Sequence, residues 1–206
     1  MIKVWGRTTS VNVQKAMWTI GELGLAHERY DAGGAFGGLD DPAYLAMNPN
    51  ARIPVIEYEG QHLWESNAIV RLLCALHSEG ALWPTDPWHR ARADRWMDWQ
   101  AASLLVDMTT VFWGLIRTPE SGRDWVAIGD AASRVNSQMG ILDAHLGYSD
   151  WVAGDSMTMG DIAIGALVHR WSNLPMQRPD HSHIADYYNR LKQRPAFAEH
   201  VMIPLS

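Results

Sequence analysis

Apolar positions in the first 80 residues alternate between two spacings. Ile2 to Trp5 alternates apolar and polar side chains and predicts a strand, while Val13, Ala16, Met17 and Ile20 share one face of a helix that Gly24 would stop. Ala26 to Asp31 predicts a second strand, and the glycines of AGGAFGG predict a flexible loop. Asp41-Pro42 is an N-cap followed by proline at the first helical position, which opens a short helix to about Met47. Val55–Tyr58 and Gln61–Trp64 flank Glu59-Gly60, the signature of a two-residue hairpin. Residues 66–77 then carry apolar side chains at 69, 72, 73 and 76. The order β-α-β-α-β-β-α implies a parallel pair joined by a crossover helix, with an antiparallel hairpin at its edge.

SEGALWPTDPW, residues 78–88, is a linker by composition, and strand signals are scarce beyond it. Asp86-Pro87 opens a helix that extends to about Ile116. Trp125, Ile128, Ala132, Val135, Met139, Leu142 and Leu146 recur every three or four residues along another. Thr158 with Asp161 predicts a capped helix start, stapled by Met157 and Ile162. A last helix runs from Ile184 to Arg194 and ends at Pro195. The pattern divides into an α/β domain (1–79), a linker (80–87) and an all-helical domain (88–206).

Composition narrows the function classes. The chain has 206 residues, 47% of them hydrophobic and 19% charged, which suits a folded protein with a substantial core. A net charge of −6 with no Lys/Arg run argues against nucleic-acid binding. No apolar run approaches the length of a membrane span. MIKVWG leads directly into a strand with no leader pattern. Together with a single cysteine, Cys74, this fits a reducing cytoplasm. Cys74 falls on an apolar helical face and reads as core. His181-x-His183 has no third ligand, so no metal site is expected. Seven of the eleven tryptophans lie between 64 and 125, either as core or as walls of an apolar cleft.

Candidate chemistry collects at helix starts, where free N–H groups and partial positive charge attract anions. Ser66 either caps its helix or donates to a ligand carboxylate, and Glu65 beside it can take an ammonium. A cis Ile53–Pro54 bond would present the Ile53 backbone to an extended peptide. In TTSVNVQK, Thr8, Thr9, Ser10 and Asn12 place small donors at another helix start. They are caps, or they favour ionisation of a thiol brought to them.

Three motifs together resemble the cytosolic glutathione S-transferase superfamily over nearly the whole chain. NPNARIPVIEYEG is similar to the family's NPxGxVPxLxxxG segment, with Ala51 for glycine. WESNAIVRLL resembles its ES-x-AI-x-x-YL segment, with Leu72-Leu73 for Tyr-Leu, and TMGDIAIG resembles its Thr-x-x-Asp-Ile capping motif. The resemblance implies a thioredoxin-like first domain whose Ile53, exposed by cis Pro54, pairs with the cysteinyl backbone of glutathione. It implies that Glu65 and Ser66 hold the γ-glutamyl end, with Arg52 at the glycyl carboxylate or simply solvated. The strand-one loop has neither Tyr nor Cys. Ser10 matches the theta-class serine, and SVNVQK is similar to the nu-class T-x-N-x-x-K segment. Ser10 is therefore expected to donate to the thiolate, with Asn12 assisting and Thr9 in reserve. Trp113 and Arg117 are expected beside an apolar electrophile, and Gln100 beside the glutathione of the other subunit in a homodimer. Conjugation is the leading expectation; glutathione-dependent disulfide reduction and non-catalytic ligand carriage are the alternatives.

Overall fold

The computed structural model describes residues 1–206. Strands β1 (Ile2–Trp5), β2 (His27–Tyr30), β3 (Val55–Tyr58) and β4 (Gln61–Trp64) form one sheet in the order β2-β1-β3-β4. The β1–β2 pair is parallel, with Ile2 opposite His27. Strand β3 runs antiparallel to both β1 and β4, with Val55 opposite Trp64. Helices α1 (Val11–Glu22), α2 (Pro42–Met47) and α3 (Ser66–His77) complete the first domain. The second is helical: α4 (Pro87–Trp99), α5 (Leu105–Phe112), α6 (Trp125–Leu146), α7 (Met159–Asn173), α8 (Ser182–Lys192) and α9 (Pro195–His200). No helix is long and apolar enough to cross a membrane.

Three local readings change. The long helix expected to reach about Ile116 is interrupted by two π turns, Gln100–Leu104 and Trp113–Arg117, each of which shifts the phase of the side chains after it. Pro195 does not merely end a helix. It occupies the first turn of α9, where its missing N–H costs nothing. The glycine loop contains a 3₁₀ turn at Gly34–Phe36 and packs on Arg7. A Cβ on Gly34 would lie 3.2 Å from the Arg7 side chain.

Asp161 accepts from Thr158 N at 2.8 Å, Val152 N at 3.0 Å and the Tyr187 hydroxyl at 3.0 Å, so the predicted cap also ties α7 to α8. Met157 and Ile162 are both buried beside it.

The two domains share a core. A small apolar cluster under the sheet contains Val4, Ile20 and Ile56. Val11, Trp18, Val70 and Cys74 of the first domain instead join the large cluster of the second. Helix α1 is the element held from both sides. Its Lys15 is 1% exposed and donates to Asn67 Oδ1 on α3 (2.9 Å) and Gln100 Oε1 on the first π turn (3.2 Å).

Burial outweighs the opposing charge of Glu65 and pushes the Lys15 ammonium down to about 7. The unfolded chain keeps that proton to about 10.5. Between those values unfolding therefore takes up a proton, and stability rises with pH. Urea midpoints measured from pH 7 to 10 are expected to show this rise in the wild type, approaching about 1.4 kcal/mol per pH unit. The rise should be absent in Lys15→Met; equal slopes would place the charged lysine comfortably in the fold.

Candidate active site

The site forms where three segments converge: the β1–α1 turn, the segment before β3, and the start of α3. Ser10 is the N-cap residue of α1, with extended backbone, yet its hydroxyl makes no capping bond, and its carbonyl takes the Gln14 N–H at 2.9 Å. Asn12 follows in the first turn and accepts from the Ser66 hydroxyl at 3.2 Å, leaving its amide NH₂ without a partner in the chain. One hydrogen bond thus joins the amino ends of α1 and α3.

At α3 the cap position belongs to Glu65, which also makes no capping bond, and Ser66 is the first helical residue. The capping readings of Ser10 and Ser66 therefore do not describe their hydroxyls. Glu65 adopts φ 69°, a left-handed conformation uncommon for a residue with a side chain.

The Ile53–Pro54 bond is cis. No hydrogen bond within the chain uses the Ile53 N–H or C=O. The preceding carbonyl, that of Arg52, is fixed by the Tyr44 hydroxyl and Asn48 Nδ2, each at 2.8 Å. Asn48 Oδ1 in turn receives the Asn50 N–H at 3.0 Å. The sequence does not reveal these roles of Tyr44 and Asn48, because a buried polar residue that holds a loop carbonyl has no local signature.

These residues line two adjoining cavities. The smaller, about 280 Å³, lies among Asn12, Asn48, Asn50, Arg52, Ile53, Pro54, Glu65 and Ser66. The larger, about 440 Å³, shares Asn12, Arg52 and Ile53. It adds Ser10, Leu39, Leu105, Phe112, Trp113 and the arginines at 7, 117 and 170. Ser10 faces this larger cleft, whereas Thr9 lines a neighbouring hollow with Phe36 and Ser206. Trp113 is 53% exposed on the second π turn, and the Arg117 guanidinium lies 5.0 Å from its ring. Of the seven clustered tryptophans only Trp113 borders the cleft; Trp96 is core, and Trp64, Trp88 and Trp125 are exposed.

Gln100 is placed differently from the expectation. It is 0% exposed and accepts from Lys15 and Asn67 inside its own chain, so it offers nothing to a second subunit. Its side chain points toward α1 and α3. Cys74 is buried, and desolvation pushes its thiol up to about 12. His181 approaches Asp143 at 3.7 Å, and no group of three metal-binding side chains comes together.

Comparison with known proteins covers the same ground. A family profile described as "Glutathione S-transferase, N-terminal domain" matches residues 5–81, and "Glutathione S-transferase, C-terminal domain" matches 89–190. The glutathione S-transferase GstB of Escherichia coli K12 is 38% identical over 208 residues, covering 100% of both chains. The crystal structure of a theta class glutathione S-transferase from Xanthomonas axonopodis pv. citri with glutathione bound superposes with a TM-score of 0.97. It shares 41% identity and covers 100% of this chain and 99% of that one. A glutathione S-transferase of Pseudomonas fluorescens gives 0.85 at 25% identity, covering 99% and 98%.

Ala51 has φ 53°, the left-handed region in which a Cβ is crowded and glycine is not. Ala51→Gly is expected to leave the fold intact and raise stability by up to about 1 kcal/mol, read as a higher denaturation midpoint. A loss of stability would mean that neighbouring contacts of the methyl outweigh the backbone term.

Proposed function

Because this chain belongs to the glutathione S-transferase family, we propose that it conjugates the glutathione thiolate to an electrophilic carbon, using the residues gathered at the two helix starts. The observation that carries the reading is the Ser66–Asn12 hydrogen bond beside the unpaired Ile53 backbone. It puts anion-favouring helix ends and an open strand edge within one groove.

In this reading the peptide lies extended along Ile53 and exchanges backbone hydrogen bonds with its N–H and C=O. The carboxylate of the γ-glutamyl end takes the Ser66 hydroxyl and the first N–H groups of α3, and Glu65 takes the ammonium. Arg52, exposed above its pinned carbonyl, reaches the glycyl carboxylate. The thiol then falls at the start of α1. There the Ser10 hydroxyl and the Asn12 amide donate to sulfur, and the helix dipole adds to their effect. All three act more strongly on a thiolate than on a thiol, so they lower the thiol pKa and hold the nucleophile in place. Sulfur bonds to the electrophilic carbon, the leaving group departs with its electron pair, and the thiol proton passes to solvent. Cys74 has no part in this. A thiol held protonated and buried cannot exchange with a disulfide, so any reductase activity would run through glutathione alone. We also propose a homodimer in the cytoplasm, acting on toxic electrophiles; sedimentation at micromolar concentration checks the assembly state.

Ser10→Ala is expected to lower kcat/KM toward an aryl halide by about 100–1,000-fold, the range for a lost charge-stabilising donor. It should also raise the apparent thiol pKa in the pH–rate profile by about one unit, corresponding to about 1.4 kcal/mol. Glu65→Gln and Ser66→Ala should instead weaken glutathione binding, measured by calorimetry, by roughly 10-fold each. Unchanged turnover in Ser10→Ala removes that residue from the mechanism, and failure of the wild type to bind glutathione removes the reading altogether.

A further inference from the structure

The far wall of the larger cleft is more basic than an apolar substrate requires. Arg7, Arg117 and Arg170 all line it. Arg170, on the buried helix α7, is 6% exposed; its Nε has no acceptor, and its Nη2 has only the Thr9 carbonyl at 3.5 Å. Its guanidinium carbon lies 3.9 Å from the centre of the Phe112 ring, and that of Arg117 lies 4.9 Å from the same ring. Arg117 donates to the Ser206 carbonyl oxygen at 3.1 Å, while the Arg7 side chain makes no hydrogen bond and is crowded from one side by Gly33 and Gly34.

Elsewhere five guanidiniums, those of Arg29, Arg71, Arg134, Arg190 and Arg194, each meet a carboxylate. Here no acidic side chain offsets any of the three. Burial, then the charges of Arg117 and Arg7, push Arg170 down to about 9, which still leaves it cationic at neutral pH. An unpaired buried cation is costly, and aromatic contact returns only part of that cost. A chain with a net charge of −6 has collected like charges at one wall of its cleft, with an unused guanidinium edge among them. A guanidinium edge is the shape that a carboxylate fits with two parallel hydrogen bonds.

We propose that the electrophilic substrate carries a carboxylate or comparable oxyanion, seated on Arg7, Arg117 and Arg170 while its reactive carbon faces Ser10. The inference rests on the transferase reading above and specifies the substrate class for it. The anion lies beside the Phe112 ring, over which both Arg117 and Arg170 sit, and Trp113 and Leu105 cover the apolar middle of the molecule.

A matched pair of substrates tests this: 4-chloro-3,5-dinitrobenzoate and 4-chloro-3,5-dinitrobenzamide. In both, the glutathione sulfur bonds to the ring carbon and chloride leaves with the electron pair of the broken bond. Each kcat/KM is divided by the rate with free glutathione, which cancels the difference in intrinsic reactivity. The wild type is expected to favour the benzoate by at least about 10-fold, the value of a charge-assisted hydrogen bond. The preference should fall to about 1 in Arg170→Gln and in Arg7→Gln. Arg7 is half-buried on the loop after β1, so its variant keeps the test decisive if Arg170→Gln fails to fold. A wild type without preference overturns the inference and leaves the transferase reading standing. The same holds for variants that slow both substrates equally, which would assign the arginines to the thiolate, and for variants that raise only the glutathione KM, which would assign them to the tripeptide. Turnover of neither substrate overturns both.

Discussion

Trp18 is the side chain on which the two halves of the molecule close. Its ring is fully buried on α1, edge-on to Phe197 of α9 at 4.8 Å, and it lies against Gly165 of α7, where a Cβ would come within 2.9 Å. Its indole N–H donates to Glu22 at 2.7 Å, and Glu22 takes the fork of Arg194 at 2.7 and 2.6 Å. A buried tryptophan is worth about 3–5 kcal/mol by truncation. Here that energy is directional, because it fixes the axis of α1 against the helical domain. Lys15 acts in the same way one turn earlier, through Asn67 and Gln100. The amino end of α1, with Ser10 and Asn12, is therefore held in place by the packing of the whole helix.

The groove follows the same economy. Donors that ordinary helices spend on their own ends are left unspent at Ser10 and Ser66, and the backbone of Ile53 is left unpaired while its neighbour Arg52 is tied down twice. Glu65 keeps an unfavourable φ at the centre of this arrangement. Each of these would be a small defect in an inert fold, and together they surround one groove.

How much of this the sequence discloses depends on whether a feature is local. The hairpin around Glu59-Gly60, the helix beginning at Ser66 and the Thr158–Asp161 cap each follow from a few consecutive residues, and the structure shows them where the spacing puts them. Gln100 reads as a surface polar residue, because the partners that bury it, Lys15 and Asn67, are distant in sequence. Pro195 discloses only half of its role, because a proline that ends one helix and a proline that begins the next look alike. Arg7 and Arg170 were invisible as site residues: 163 positions separate them, and only the folded chain brings both to one cleft. Tyr44 and Asn48 escaped notice for a related reason, since their work is to hold another residue's carbonyl.

The shared core also constrains how the protein is made. Val11, Trp18, Val70 and Cys74 are synthesised early, yet the residues that cover them lie in the helical half, and Arg194 follows its partner Glu22 by 172 positions. During translation the sheet and its helices emerge with one face bare, a cohesive surface waiting for partners still inside the ribosome. The thioredoxin-like unit is thus a recognisable module in sequence and an unfinished one in physics. Its closing contact leaves the tunnel only with the helical half.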